Sequence, residues 1–342
     1  MIASEAMGKA EPLSDRPKRK MVHLLDDFGM GGVVRALGIF QEPELAALSA
    51  SDILPVSANT HIAPVVDADI IITHFPPSWA RLGFFASLRY RNPAAKLIHV
   101  EHSYTRNFET LHVKSPRRFR LMLRLALRSF DQIVCVSNAQ REWLAHAAAI
   151  ADQRIQTVYP WSGRDELATL APPMRSAEMP LRLAAYGRFD AIKNFGPLVD
   201  AVAAIGPAVE LYLGGSGPQE AALVKKSLGV SNVTLCGQIT DVGAFLGQAD
   251  AVIVPSLRES YGLVATEARL AARPIIVSDA DGLPEQVGTS GLSAPCSTAE
   301  EITAAIARFQ AMPFAAMSRA ARSESASLRS DSLARWAALL AD

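Results

Sequence analysis

The sequence predicts an α/β protein built from two doubly wound parallel-sheet domains that face each other across a cleft. Three observations lead there. Short, nearly continuous apolar runs recur along the chain and alternate with helical stretches, as strands of a sheet covered on both faces do. The alternation stops once, in a stretch rich in Pro, Ser and Gly with no period, and then restarts. A chain of 342 residues with 49% apolar content is too long for one ordinary core and long enough for two.

The first domain opens with "KMVHLLDD" (20–27), read as a strand, then the turn "FGMGGV" (28–33) and a helix. The runs "ADIIITHF" (68–75), "AKLIHVEHS" (95–103) and "DQIVCVSNA" (131–139) are further strands, each ending in polar residues. The linker is "YPWSGRDELATLAPPMRSAEMP" (159–180). Beyond it come "LRLAAYGRF" (181–189), "VELYLGG" (209–215), "NVTLCGQI" (232–239), "ADAVIVPS" (249–256) and "RPIIVSD" (273–279), with helices expected around 196–205 and 218–228. "SDSLARWAALLAD" reads as a final helix capped by Ser330 or Asp331. The expected division is a disordered basic tail over 1–20, a first domain over 21–165, a second over 166–325, and a C-terminal helix over 326–342 that packs back on the first domain.

Lys and Arg number 34 and Asp and Glu 34, so the net charge of zero argues against nucleic acid as a partner and moves any electrostatic argument to local clusters. Cys135, Cys236 and Cys296 are widely spaced, as expected of buried thiols in a reducing compartment. No apolar run reaches the ~18 residues of a membrane span, and residues 1–20 lack the apolar centre of a secretory signal. A cytoplasmic protein, soluble or peripheral on a membrane, is expected.

Ligands of open α/β sheets bind beyond the carboxyl ends of the strands, so chemistry is sought there. "FGMGGV" and "GGSGP" (214–218) are two glycine turns after strands, where backbone N–H groups can approach an anion. Each by itself reads better as a plain tight turn. "YGRFDAIKNF" (186–195) places Arg188 and Lys193 just past a strand, suited to a diphosphate or, alternatively, to a solvated loop. "RESYGLVATEARLAARPIIVSDADGLPE" (258–285) holds Glu259 and Glu267 at a loop–helix junction. A glycosidase pair must straddle a scissile bond ~5 Å across, which a loop acid and a helix acid eight residues apart do not guarantee. Separate roles fit better, with Glu259 accepting from sugar hydroxyls and Glu267 from the vicinal hydroxyls of a ribose. The N–H groups of Tyr261, Gly262 and Leu263 at the helix start would face the phosphates between them. Alternatively, Glu267 is a helix-surface acid.

"GR…KN", "GGSGP", "CGQITDVGAFLGQADAVIVPSLRESYGLVATEARLAARPIIVSDADGLPE" and "CVSNAQRE" follow one another as in the family 4 glycosyltransferases. The resemblance spans roughly residues 21–340 and is strongest over 183–288. It implies a retaining enzyme of GT-B fold that uses a nucleotide-sugar donor. By resemblance, Arg188 and Lys193 neutralise the donor diphosphate, with Gly217 beside them, and Glu259 contacts the donor sugar while Glu267 holds the ribose. Gly31 and Gly32 match the glycine loop that closes over the phosphates. His102 matches a histidine near the transferred sugar, and His74 is a second candidate. Ser162-Gly163 replaces the family's Asn-Gly, and Val34 stands where an acid is common. The "DAD" stretches at 67–69 and 279–281 imitate metal motifs, but two cations at the diphosphate make a metal unnecessary, so neither metal nor other cofactor is expected. A nucleotide-sugar epimerase, a phosphorylase or a non-catalytic scaffold would share this fold.

"SPRRFRLMLRLALRS" (115–129) reads as a helix with Arg117, Arg120, Arg124 and Arg128 in one stripe and Phe119, Met122, Leu123, Ala126 and Leu127 opposite. With Arg16–Lys20 it suits an anionic membrane surface and a lipid-linked acceptor. An ordinary packed helix explains the apolar side alone.

Overall fold

The computed structural model describes residues 18–29, 31–176 and 178–341. Most of the expected tail, including Arg16, lies outside the described residues. Its last residues are not a tail, because the first strand already begins at Arg19.

Six strands make the first sheet: β1 (Arg19–Leu25), β2 (Ser49–Pro55), β3 (Ile70–Thr73), β4 (Lys96–Glu101), β5 (Gln132–Cys135) and β6 (Ile155–Thr157). Six make the second: β7 (Leu181–Tyr186), β8 (Val209–Gly214), β9 (Val233–Gly237), β10 (Ala251–Val254), β11 (Ile275–Ser278) and β12 (Gly291–Ala294). Every neighbouring pair is parallel, in the orders β2-β1-β3-β4-β5-β6 and β12-β11-β10-β7-β8-β9. Helices must cover both faces of such sheets, which explains why β3, β10 and β11 are buried at every residue. Strand order reverses between β1 and β3 in the first domain and between β7 and β10 in the second. A crevice opens beyond the strands at each such point.

The two domains are closed on each other. One apolar cluster runs through both, from Leu37 and Trp161 to Tyr261, Leu333 and Trp336. The final helix, Leu328–Ala341, lies against the first domain. There Trp336 packs edge-on against Phe40 at 4.8 Å, Lys96 Nζ donates to the Leu339 carbonyl, and Arg19 Nη1 donates to the Leu340 carbonyl at 2.6 Å. Its start corrects the expected caps. Ser330 and Asp331 lie inside the helix, and the break comes earlier, after the helix Phe314–Ser325. Cys135 and Cys236 also part company: the first is buried, but Cys236 sits exposed on edge strand β9.

Candidate active site

The loops that leave the two reversal points meet in one place. After β7, Gly187 and Arg188 lead into a short turn whose Asp190 carboxylate accepts from the Ile192 N–H, and Asn194, with φ 58°, sends Nδ2 to the Cys296 carbonyl at 2.6 Å. This fixes the backbone on either side of Lys193. The Lys193 ammonium donates to Glu259, on the loop after β10, which also accepts from Ser256 Oγ. The two residues assigned to separate ligands are thus an ion pair, each with a side chain one-fifth exposed. An ammonium has three N–H donors, so the pair leaves Lys193 able to bridge Glu259 and a phosphate oxygen. Arg188 is exposed and forms no ion pair among the described residues.

Gly217 has a packing job in this turn. A Cβ there would lie 2.8 Å from the Phe189 carbonyl oxygen and 2.9 Å from its nitrogen, at φ 148°. Only glycine lets this turn pack against the Arg188 loop, which it grips through Phe189 N–H to Ser216 O at 2.8 Å. Gly217 shapes the site through that packing.

Gly262, at φ 93°, precedes the helix Leu263–Leu270 and supplies no side-chain cap; the Ala265 N–H turns back to the Gly262 carbonyl at 2.9 Å, which leaves those of Leu263 and Val264 for an anion. The turn from the first domain comes down onto this point. Gly31 precedes the short helix Gly32–Ala36, and a Cβ on Gly32 would sit 3.2 Å from Leu263 Cδ1. Tyr261 is buried, stacked on Tyr159 at 5.2 Å, with its carbonyl taken by Gln286.

Glu267 departs most from expectation. It is no surface acid and is not open to a ribose, because its side chain is wholly buried. Arg35, on the helix Gly32–Ala36, donates to Oε1 at 2.7 Å, Arg164 Nε lies 3.4 Å from the same atom, and Tyr186 Oη donates to Oε2 at 2.6 Å. Burial and the adjacent carboxylate push the Tyr186 hydroxyl well above its usual range, so it stays a donor. Arg35, with a side chain 39% exposed, is the most exposed of the three partners that occupy the carboxylate.

His102 follows β4 and sits against the loop that carries Glu259, since its carbonyl accepts from Ser260 Oγ at 2.6 Å. His74 stacks on it with ring centres 5.4 Å apart. Glu285 ties the same loops across the domains, accepting from the N–H groups of Asn138 (2.9 Å) and Ala139 (2.6 Å) and from Tyr159 Oη. Asp281, of the second "DAD", takes the N–H groups of Asn107 and Glu259, while in the first "DAD" Asp67 pairs with Lys20 and Asp69 takes its N–H. Arg35, Arg164, Tyr186, Ser260 and Glu285 went unrecognised in the sequence because each meets its partner from a distant segment. All five lie within or beside stretches already singled out, Ser260 next to Glu259 and Arg35 three residues after Gly32, but nothing local marks their partners.

The basic helix, Pro116–Leu127, buries Met122, Leu123, Ala126 and Leu127 as expected. Its stripe is not four free arginines, however. Arg120 forks onto buried Glu109 at 2.7 and 3.0 Å, and Trp143 Nε1 donates to the same carboxylate. The acid missing from the stripe comes from the preceding helix, Arg106–His112. Arg117, Arg124 and Arg128 remain exposed.

Two Rossmann-like domains closed over loops from both strand-order reversals define the GT-B class of fold. Solved structures share it. HepE from Anabaena, in complex with UDP and glucose, superposes with a TM-score of 0.73 at 15% identity, covering 95% of this chain and all of its own. Sucrose-phosphate synthase from Thermosynechococcus elongatus gives 0.74 at 20% identity, covering 94% and 98%. The family model "Glycosyltransferase Family 4" matches residues 42–161, and "Glycosyl transferases group 1" matches 180–311. Among curated relatives, a D-inositol 3-phosphate glycosyltransferase of Saccharomonospora viridis is 28% identical over 289 residues, 74% of this chain and 65% of its own length. The MMP alpha-(1->4)-mannosyltransferase of Mycolicibacterium hassiacum is 27% identical over 255 residues, 68% and 58%. The trehalose synthase of Rubrobacter xylanophilus is 42% identical over 83 residues, 24% and 20%. The chain thus spans less than two thirds of the length of these curated relatives. It belongs to the family 4 glycosyltransferases.

Proposed function

We propose that the protein is a retaining glycosyltransferase that moves a sugar from a nucleotide-diphosphate sugar to a hydroxyl of a lipid-linked acceptor, in cell-surface polysaccharide synthesis. The carrying observation is the Lys193–Glu259 pair on the loop that leads to the uncapped start of the helix Leu263–Leu270, with Arg188 exposed on the loop that carries Lys193. Positive charge placed where a diphosphate departs lowers the barrier without a metal ion. Glu259 orients the sugar hydroxyls, and Glu267 takes the ribose. The acceptor oxygen attacks the face from which the diphosphate leaves; the C1–O bond to phosphate breaks, the new C1–O bond forms, and a diphosphate oxygen takes the acceptor proton.

The acceptor side of this reading is supported by an open groove in the first domain, about 330 Å³, beyond β3 and β4. Trp79, Tyr104, Phe108 and Phe119 line it, with Lys114 and Arg118 among the basic lining residues. Arg118 stands over the Trp79 ring, and Arg258, from the donor loop, stands over Phe108. The groove adjoins the helix Pro116–Leu127, whose Leu121 and Leu125 are exposed beside Arg117, Arg124 and Arg128. Aromatic walls with cations suit a phosphate-bearing amphiphile at a cytoplasmic leaflet. Among the described residues no helix is long and apolar enough to cross a membrane, so binding there would be peripheral. UDP-glucose is the first probe, because HepE has been solved with it. Nucleotide diphosphate release from a panel of nucleotide sugars, stimulated by lipid extract, tests the reading. An isomerised donor with no release would point to an epimerase, and no turnover of any donor to a scaffold.

A further inference from the structure

Three imidazoles cross the first sheet in a line. His23 lies within β1, His74 follows β3, and His102 follows β4, on three adjacent strands. His23 Nδ1 is 2.9 Å from His74 Nε2, and His74 Nδ1 is 3.1 Å from His102 Nε2. The far nitrogen of His23, Nε2, is buried without a partner, in a ring packed on Phe40 at 4.6 Å. At the other end, His102 Nδ1 makes no hydrogen bond among the described residues and is not a buried atom. His74 and His102 border a small pocket with Val33 and Ala36, beside the glycine turn.

Burial holds His23 down at about 3 and His102 at about 4, and keeps His74 well below its usual range, so all three are neutral at physiological pH. A neutral imidazole donates through one nitrogen and accepts through the other. Two links in series therefore leave only two consistent proton patterns. If every Nε2 carries hydrogen, His23 has a buried N–H with nothing to bond. If every Nδ1 carries it, His23 presents a bare acceptor to its buried surroundings beside Phe40. Orphaned buried donors are the rarer of the two in folded proteins. Free histidine in water prefers the opposite form, with hydrogen on Nε2, so the second pattern would leave a recognisable mark.

We propose that His23 and His74 are positioning residues that hold His102 as its Nδ1–H tautomer, so that the cleft meets a hydrogen-bond donor aimed at an oxygen of the nucleotide sugar. The ligand in this statement rests on the proposed function; the tautomer does not. Nitrogen-15 NMR of the histidine-labelled full chain reads it directly, with His102 assigned by its loss in His102→Gln. The expected spectrum shows a protonated Nδ1 and a bare Nε2 on His102, unchanged from pH 8 to pH 6. In His74→Leu the proton moves to Nε2 and transfer falls ~10-fold, the worth of one hydrogen bond. In His74→Asn, whose amide can replace the lost donor, the Nδ1–H signal and most of the rate return. A protonated Nε2 in the unmodified protein overturns the proposal. So does an Nδ1–H signal indifferent to His74→Leu. A protein with no transfer activity would still report its tautomer, so the two readings fail separately.

Discussion

Replacing Arg35 by Ala should move stability and donor affinity in opposite directions. Its guanidinium donates to wholly buried Glu267 at 2.7 Å from a side chain 39% exposed. A hydrogen bond to a charged group is worth about 1.5–3 kcal/mol. Partial exposure of Arg35 discounts this to about 1 kcal/mol, because Arg164 and Tyr186 stay on the carboxylate. The variant should therefore unfold a few degrees lower. A donor whose ribose uses Glu267 must first displace Arg35, and Ala removes that competition. Its dissociation constant should fall by a factor of about 5, the equivalent of about 1 kcal/mol. Thermal unfolding gives the first quantity and calorimetric titration with a nucleotide diphosphate the second. If affinity and stability fall together, Arg35 is a ligand of the nucleotide and not its competitor.

Lys193→Ala should lower kcat ~10²–10³-fold, since negative charge grows on the diphosphate as the bond breaks. Glu267→Gln should chiefly raise the donor KM, and steady-state kinetics showing the reverse pattern would exchange the two roles. Burial raises the Glu109 carboxyl, but hydrogen bonds from Arg120 and Trp143 bring it net below its ordinary 4.5. A depressed carboxyl stabilises above its unfolded value and loses that contribution as the pH falls through its folded one. Acid should therefore destabilise the native protein more than Arg120→Ala below about pH 4.5; parallel unfolding curves for the two would reject that pairing. Arg124→Glu with Arg128→Glu should abolish cosedimentation with anionic vesicles while leaving the fold intact. Equal binding by both proteins would leave a soluble acceptor.

The inner strands were legible because burial on both faces demands continuous apolar runs such as "DIIIT" and "AVIV". The strands that escaped notice, β2, β6 and β12, are all outermost in their sheets. β2 is mostly uncovered, with one buried residue in seven, whereas β6 and β12 are largely buried but only three and four residues long, too short to show as apolar runs. Site residues divided in the same way. Lys193 and Glu259 could be read from their own loops, since a strand end and a loop–helix junction are local signals. Their ion pair could not, nor could Arg35 with Glu267, whose partners lie 232 positions apart. Periodicity showed the Arg120 stripe but not Glu109, which arrives from another helix. His23 reads as part of an apolar strand, and only the pairing of β1 with β3 brings it to His74.

The most direct test follows the anomeric carbon. The protein is given its turned-over nucleotide sugar and lipid acceptor in excess EDTA, and the first-formed product is examined by proton NMR. The account predicts continued nucleotide diphosphate release and a product whose anomeric configuration matches the donor, with both lost in Lys193→Ala. An inverted anomer, or release that stops in EDTA and returns with added Mg²⁺ or Mn²⁺, would contradict it.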